Sequence, residues 1–247
     1  SYELNNKKAP FDNVNVRKAL NLSLDRNVIT DKVLGQGQTP TYVFTPTYIE
    51  EGQLIQQPAY SKEPMAQRNE EAIKLLEEAG YSKANPLKFS ILYNTNENHK
   101  KVAIAAASMW KANTKGLIDV KLENQEWKTY IDSRRAGRYD AARAGWNADY
   151  NQATTFGNYF LSNSSNNTAK YANPEYDKAI AESYVATDAE GRAKAYAKAE
   201  EILAKDFGIV PIFNYVNPRL VKPYVKGYSG KDPQDHIYLR NLYIIKH

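Results

Sequence analysis

Cysteine is absent from this chain of 247 residues. Without a thiol, the chain can form no disulfide, no thiolate metal site and no cysteine nucleophile. Histidine is also scarce, and the three histidines, His99, His236 and His247, share no spacing that is typical of metal ligands. We therefore predict that the chain has no metal centre and no cofactor.

Motifs of known catalytic sites are missing as well. The chain contains no Gly-x-Ser-x-Gly, no His-Glu-x-x-His and no dinucleotide-binding glycine fingerprint. Asp140 and Asp149 are a pair of carboxylates that a glycosidase could use. Because they lie nine residues apart across a predicted strand, they need not face each other. These observations disfavour an enzyme.

Long apolar runs are lacking, so the sequence predicts no membrane-spanning helix. Residues 1–12 are polar, which does not suit a signal peptide. The net charge is +5, but 28 acidic residues are scattered among 33 basic ones, which disfavours a nucleic-acid-binding surface. Apolar residues make up 42% of the chain, which is typical of one large globular domain or two modest ones.

Tyrosine, in contrast, is abundant, with 19 residues. Its side chain has a rigid apolar ring and a polar hydroxyl, which suits surfaces that bind many different partners. The alternative is that these tyrosines only cover half-exposed strands.

Alternating strands and helices occupy residues 87–146. Strands are predicted at Leu87–Tyr93 and Leu117–Leu122, and helices at His99–Asn113 and Glu126–Ala136. A short strand of small residues, from Tyr139 to Gly145, completes a β-α-β-α-β unit. This order favours an α/β fold with a mixed or parallel sheet flanked by helices.

The flanking regions have other patterns. A strand at 1–7, a helix at about 14–33 and a long surface segment at 38–68 precede a helix capped by Asn69. Residues 152–162, a segment starting at Pro174, and a segment capped by the Thr187-x-x-Glu190 box are predicted to be helical. A strand at 209–216 follows. After Asn217 the helical pattern stops, and only a terminal strand at 237–245 is predicted.

The stretch from Arg134 to Asn151 is the best candidate for a binding site. Its predicted strand ends in the run WNADYN at 146–151, and strand ends are where open α/β sheets bind ligands. Asp149 either caps the following helix or binds an ammonium group, while Arg134, Arg143 or His99 could bind a carboxylate. Four arginines surround Asp149 in the sequence: Arg134, Arg135, Arg138 and Arg143.

Several longer motifs resemble a known family. They are APF at 9–11, VRKAL at 16–20, DR at 25–26, YNT at 93–95, NQEWKT at 124–129, RAGW at 143–146, ADYN at 148–151, LSNSS at 161–165 and RLVKP at 219–223. Together they resemble the periplasmic oligopeptide-binding proteins of bacterial peptide ABC importers, across essentially the whole chain. Those proteins are about twice as long, so the resemblance implies the C-terminal half of such a protein.

The resemblance implies a periplasmic-binding-protein lobe of type II. Residues 1–216 correspond to the second ligand-binding lobe, and residues 217–247 to return strands that complete the first lobe. The expected partners are oligopeptides, a membrane permease and the missing N-terminal lobe, in the periplasm. Alternatives that stay open are a narrower ligand, such as a murein peptide or a metal chelate, and an engineered isolated lobe without tight binding.

The resemblance also assigns roles to individual residues. Asp149 corresponds to the aspartate that binds the peptide ammonium, and Arg134 and Arg143 to binding arginines. The other expected binding residues are Trp127, Trp146, Tyr215, His99, Gly145 and Asn147. This chain departs from the family at Ser1 and Asn147, which match a disulfide, and at Arg135, which replaces a histidine. A single lobe offers only one wall of the binding cleft, so tight binding is expected only when both lobes are present.

Overall fold

A computed structural model describes residues 1–230, 232 and 234–246 of the chain. Seven α-helices are described there: α1 (Val14–Leu22), α2 (Met65–Glu78), α3 (Glu97–Asn113), α4 (Trp127–Arg135), α5 (Thr154–Gly157), α6 (Pro174–Val185) and α7 (Ala189–Lys205). The described strands are β1 (Tyr2–Leu4), β2 (Thr39–Pro40), β3 (Leu87–Asn94), β4 (Ile118–Gln125), β5 (Ala141–Arg143), β6 (Ile209–Val210), β7 (Phe213–Asn214), β8 (Val225–Lys226) and β9 (Tyr243–Ile244). Among these residues, no helix has the length and apolarity to cross a membrane.

The central sheet is mixed and has the strand order β4-β3-β5-β1-β6. Strand β3 runs parallel to β4, from Leu87 opposite Ile118 to Asn94 opposite Gln125, and parallel to β5. Strand β1 runs antiparallel to both β5 and β6. Helices α3 and α4 connect the parallel strands, as βαβ geometry requires. The predicted β-α-β-α-β unit and the α/β fold class are thus confirmed.

Helices cover both faces of the sheet. On one face, Phe89 and Ile91 of β3 pack in a core with Trp110 of α3 and residues of α1 and α2. On the other face, Leu92 packs against Tyr130 of α4. A separate core joins α5, α6 and α7 and contains Phe156, Tyr159, Phe160, Tyr176, Ile180 and Tyr196. Residues facing both ways along β3 are buried, which is typical of a strand covered on both sides.

The helix predicted at 14–33 is wrong, because the chain breaks it in two. The Ser23 hydroxyl donates to the carbonyl of Ala19 at 2.6 Å at the end of α1. The Asp25 carboxylate then accepts from the amides of Asn27 and Val28, at 3.0 and 3.3 Å. A π-helical segment, Val28–Leu34, follows. Ser and Asp side chains compete in this way for backbone groups and end helices.

Two predicted helix starts are also wrong. Helix α2 begins at Met65 after Pro64, so Asn69 lies inside it. A proline before a helix needs no amide partner and has its backbone already fixed, which allows the earlier start. Helix α7 is capped by Asp188, not Thr187, because the Asp188 carboxylate accepts from the amide of Gly191 at 2.7 Å. A charged acceptor at a helix N-terminus is favoured.

Several predicted segments are shorter than expected. Of residues 152–162 only Thr154–Gly157 is α-helical, followed by the 3-10 turn Asn158–Phe160. The strand predicted at 209–216 splits at Pro211, which lacks an amide, and its halves β6 and β7 join different sheets. The strands predicted at 1–7, 139–145 and 237–245 are shorter in the structure, where they correspond to β1, β5 and β9. Residues 38–68 do not lie only on the surface, because Val43, Ile49 and Ile55 are buried.

The C-terminal segment differs from the rest of the chain. Strands β8 and β9 form a small antiparallel pair that is separate from the central sheet. No described residue after Ile212 is buried. The break in pattern near Asn217 therefore coincides with the end of the packed core.

Candidate functional site

A cavity of about 580 Å³ lies where five parts of the chain meet. Its described lining comes from Ser1 and from the segments 41–49, 145–156, 211–217 and 228–235, and Trp146 lies three residues after the end of β5. The aromatic residues in this lining are Phe44, Tyr48, Trp146, Phe156, Phe213, Tyr215 and Tyr228. The lining combines these aromatic rings with polar side chains such as Asn147, Asn214 and Asp235, and a concave site of this kind is typical of ligand binding.

The indole of Trp146 is half-buried at the wall of the cavity. Its ring packs edge-on against Tyr159, with 5.1 Å between the ring centroids. Its indole N–H points to the hydroxyl of Thr155 at 3.4 Å. These contacts fix the position of the indole, and the Trp146 side chain lines the cavity.

Asp149 lies three residues beyond Trp146 and is exposed. Its amide donates to the Thr155 hydroxyl at 3.0 Å, and its Oδ2 accepts from that hydroxyl at 3.1 Å. Helix α5 begins at Thr154 without any side-chain cap. The alternative that Asp149 caps this helix is therefore wrong, since its partner is a side-chain hydroxyl and not a helical amide.

Arg143, the last residue of β5, points to Tyr215. Its Nη2 donates to the Tyr215 hydroxyl, and its guanidinium lies 5.7 Å from the centre of the tyrosine ring. Gly145 makes room for this pair, because a Cβ at position 145 would lie 2.9 Å from Cε2 of Tyr215. The glycine thus permits an aromatic ring and a cation to lie side by side at the cavity.

His99 lies in the first turn of α3, near Arg143. Burial, and to a lesser extent the positive charge of Arg143, lower the pKa of His99 to about 4. The imidazole is therefore neutral at pH 7. It can offer a hydrogen bond to a ligand, and only Arg143 of this pair carries charge.

Arg134 is buried, and its Nη2 is engaged within the protein. Its Nη2 donates to Oε1 of Glu3 at 2.9 Å and to the hydroxyls of Tyr159 and Thr168, both at 3.0 Å. Burial acts to lower the pKa of Arg134, but the carboxylate of Glu3 and the neighbouring tyrosines raise it. Its charge thus neutralises Glu3, and the predicted ring of arginines around Asp149 does not include it.

The structure brings together only part of the predicted set. Gly145, Trp146, Asn147 and Tyr215 line the cavity, whereas Asp149 does not. Arg143 contacts the lining through Tyr215, and His99 lies close enough to Arg143 to sense its charge. Trp127 stacks on Tyr130 with 5.9 Å between ring centroids, and it does not line the cavity. Among the described residues, no group of three or more His, Cys, Asp or Glu could hold a metal ion.

Sequence reasoning missed two parts of the site. One is Thr155, whose hydroxyl contacts both Trp146 and Asp149. The other is the segment 41–46, which forms a wall of the cavity and which the sequence placed at the surface. A lone threonine and a proline-containing segment carry no periodic signal that could have revealed them.

Comparison with known proteins identifies the family. Residues 1–168 match the model for bacterial extracellular solute-binding proteins, family 5, middle region. The chain belongs to this family. Its α/β lobe is accordingly that of a periplasmic binding protein, and the resemblance inferred from the motifs is confirmed.

Individual relatives are very similar to the chain. Over all 247 residues it is 97% identical to the periplasmic oligopeptide-binding protein OppA of Haemophilus influenzae, of which it covers 46%. It is 44% identical to the periplasmic murein peptide-binding protein MppA of Escherichia coli, covering 100% of this chain and 45% of that protein. A crystal structure of Haemophilus influenzae OppA in complex with the peptide RPPGFSPFR matches with a TM-score of 0.93, over 100% of this chain and 48% of that one. The chain thus spans about half the length of these relatives.

Proposed function

We propose that this chain is one half of an oligopeptide-binding protein that captures peptides in the periplasm for an ABC importer. The observation that carries this proposal is the 97% identity, along the whole chain, to a protein solved with a bound peptide. The cavity beside Trp146 supports it, because its aromatic side chains suit ligands with varied side chains and its polar groups can bind a main chain. The partners are oligopeptides, a membrane permease and the half that this chain lacks.

The geometry supports a division of roles among the polar residues. The exposed carboxylate of Asp149 is suited to the peptide's α-ammonium, while the guanidinium of Arg143 and the neutral His99 are suited to its carboxylate. Trp146, Tyr215, Gly145 and Asn147 line the cavity. An extended peptide is then bound mainly through its main chain, which leaves side-chain selectivity low.

The buried state of Arg134 and the position of Trp127 give these two residues indirect roles in our proposal. Arg134 fixes the end of α4 against Glu3 of β1, next to the strand from which the motif 143–146 continues. Trp127 is 53% exposed on α4, so it remains available to a surface that the missing half supplies.

We also propose that residues 1–216 form the second lobe and that residues 217–247 complete the first one. Exposed apolar side chains in the last segment support this division, and Leu220, Leu239 and Ile244 are among them. A surface of this kind is typical of a region that another part of the protein covers.

The residues that line the cavity support ligand binding and not catalysis. Among the described residues, the cavity lining contains two carboxylates, Asp232 and Asp235, and no histidine, cysteine or lysine. Asp235 is already paired with Arg219 at 2.6 Å. We therefore infer that the chain is not an enzyme. The narrower-ligand alternative is not favoured, because identity to the murein peptide-binding relative is only 44% against 97%.

Substitution of Asp149 by alanine tests the proposed ammonium site. The test protein has two lobes and is made by replacing the matching half of the 97% identical relative with this chain. Losing one partner of a desolvated ion pair costs about 2–5 kcal/mol, which corresponds to about 30-fold weaker binding or more. We expect this loss for trialanine in calorimetry, and a much smaller loss for N-acetyl-trialanine, which has no ammonium.

Asp132→Ala is the matched control, because Asp132 is an exposed aspartate of α4 that does not line the cavity. It should leave the affinity for both peptides unchanged. Equal weakening of both peptides by Asp149→Ala, or no weakening of either, would exclude Asp149 as the ammonium site. Nucleotides or sugars instead of peptides, found by mass spectrometry on the two-lobed protein purified without added ligand, would overturn the function itself.

A further inference from the structure

Thr155 connects the cavity wall to the carboxylate of Asp149. Its side chain is 5% exposed, and its hydroxyl contacts the indole N–H of Trp146, the amide of Asp149 and Oδ2 of Asp149. We propose that Thr155 is a positioning residue, which sets the orientation of the Asp149 carboxylate for the ligand's ammonium. This inference rests on the proposed function, in which Asp149 binds that ammonium.

The direction of the hydroxyl proton follows from counting donors and acceptors. A threonine hydroxyl has one proton to donate and two lone pairs to accept with. The indole N–H of Trp146 and the backbone N–H of Asp149 can only donate, so they occupy the two lone pairs at 3.4 and 3.0 Å. The proton is left for Oδ2 of Asp149 at 3.1 Å. All three bonding positions of the hydroxyl are thereby used.

The position of the hydroxyl is itself fixed. Thr155 lies in the first turn of α5, where its amide donates to the carbonyl of Gln152 at 3.2 Å. A β-branched side chain in a helix has few rotamers, and burial restricts it further. The neighbouring Thr154 contacts the Tyr196 hydroxyl at 2.5 Å, which attaches α5 to α7. The hydroxyl of Thr155 therefore has a fixed position beside the exposed carboxylate of Asp149.

One consequence is that Asp149 has one oxygen oriented by the protein and one available to a ligand. Oδ2 accepts the Thr155 proton. Within the described part of the chain, no lysine, arginine or histidine forms an ion pair with Asp149. A carboxylate that is held by a neutral donor and lacks a cation keeps its full charge for an ammonium. An ion pair with an internal arginine would have partly neutralised the charge of the Asp149 carboxylate.

A second consequence is that Trp146 and Asp149 share one hydroxyl. Trp146 lines the cavity that is suited to side chains, and Asp149 is suited to the peptide's terminus. The same hydroxyl therefore sets the distance between the indole and the carboxylate. Removing it leaves the N–H groups of Trp146 and Asp149 without their acceptor and frees the carboxylate to rotate.

The binding test uses the two-lobed protein described above, with trialanine and N-acetyl-trialanine as probes. Thr155→Val removes the hydroxyl at nearly constant shape, and Thr155→Ser keeps it. We expect the valine variant to bind trialanine about 10-fold more weakly, since a hydrogen bond to a charged group is lost. It should bind the acetylated peptide within about 2-fold of the parent. The serine variant should restore the affinity for trialanine.

A ligand-free measurement on the same protein accompanies the binding test. In ¹⁵N-labelled protein, the indole N–H resonance of Trp146 should move upfield in Thr155→Val and return in Thr155→Ser. Trp110 and Trp127 of this chain are internal controls, because Trp110 donates to the carbonyl of Leu20 at 2.9 Å and Trp127 stacks on Tyr130. If the valine variant fails to fold, Thr155→Ala removes the same hydroxyl with less bulk.

The outcomes separate this inference from the proposed function. If Asp149→Ala discriminates between the two peptides and Thr155→Val weakens both equally or neither, Thr155 is only structural and the inference is wrong. If Asp149→Ala itself does not discriminate, the ammonium site is wrong and the inference falls with it. An unchanged Trp146 resonance in the valine variant would also overturn it.

Discussion

A cluster near the cavity consists of Arg143, Tyr215 and His99, and only Arg143 carries a charge. The guanidinium of Arg143 is bound by the Tyr215 hydroxyl and lies against the tyrosine ring. Its field, together with burial, keeps His99 neutral. One cation and one neutral imidazole can then contact a carboxylate without repelling each other. Gly145 is the residue that allows this, because any larger side chain would displace Tyr215.

Titration of His99 tests this cluster directly. By NMR, the imidazole should titrate with a pKa of about 4, and Arg143→Met should raise that pKa. The folded pKa lies below the ordinary value of about 6.5, so the folded state favours the neutral ring. The contribution of His99 to the free energy of unfolding is therefore fully present above about pH 6.5 and is lost as the pH falls towards 4.

A pKa of His99 near 6.5 in both proteins would show that neither burial nor Arg143 acts on the ring.

At the scale of elements, helix α7 supports the cavity wall through a buried carboxylate. Glu200 accepts from the amides of Phe44 and Thr45, at 3.0 and 2.9 Å, and from the Thr45 hydroxyl at 2.7 Å. Arg26 supports the neighbouring backbone, because its Nε donates to the carbonyls of Thr41 and Pro211, at 3.1 and 2.7 Å. Two buried charges from separate helical regions thus hold the irregular segment 41–45 in place.

Replacing Glu200 by glutamine should destabilise the chain in a pH-dependent way. The glutamine NH₂ would face a backbone donor, which costs about 1–3 kcal/mol. Burial raises the pKa of Glu200 despite its three hydrogen bonds. A raised folded pKa contributes stability that is fully present below the unfolded pKa of about 4.3 and is lost as the pH rises through the folded value. The deficit of the variant should therefore be larger near pH 4 than near pH 7.

Urea unfolding at both pH values measures this deficit. Glu201→Gln is the matched control, because Glu201 is the next residue of α7 and pairs only with Lys205 at the surface, at 2.6 Å. It should change stability by less than about 0.5 kcal/mol. A deficit of Glu200→Gln that grows from pH 4 to pH 7 would contradict the direction of the shift.

At the scale of the whole molecule, a packed α/β core is followed by a C-terminal segment whose described residues are not buried. Among the described residues, strands β8 and β9 pair only with each other, and Ile244 is 70% exposed. A two-stranded pair without a covering layer is marginally stable in water. A half that covers these strands would bury their apolar side chains and supply the opposite wall of the cavity.

Hydrogen exchange tests the consequence for the isolated chain. The amides of Tyr243–Ile244 should exchange much faster than those of Leu87–Asn94, because β3 lies inside the central sheet. Adding the remaining half of the Haemophilus influenzae relative should slow the exchange of β9. Equal protection of both strands in the isolated monomer would contradict the proposed division near residue 217.

The sequence by itself determined the parts whose signal is local and periodic. Strand β3 and helix α3 are each covered by a core, so their buried positions recur with a regular spacing. The motif at 143–151 also sits where it was predicted, directly after a strand, because the end of a short strand is set by neighbouring residues.

Tertiary structure alone decided which polar residues take part in the site. Arg134 and Arg143 are equally basic in sequence, but only the fold places Glu3 beside Arg134 and Tyr215 beside Arg143. The buried wall at 41–45 also depends on a distant partner, Glu200. A hydrogen bond between residues more than a hundred positions apart leaves no pattern in the local sequence. The contact exists only because packing brings the two segments together.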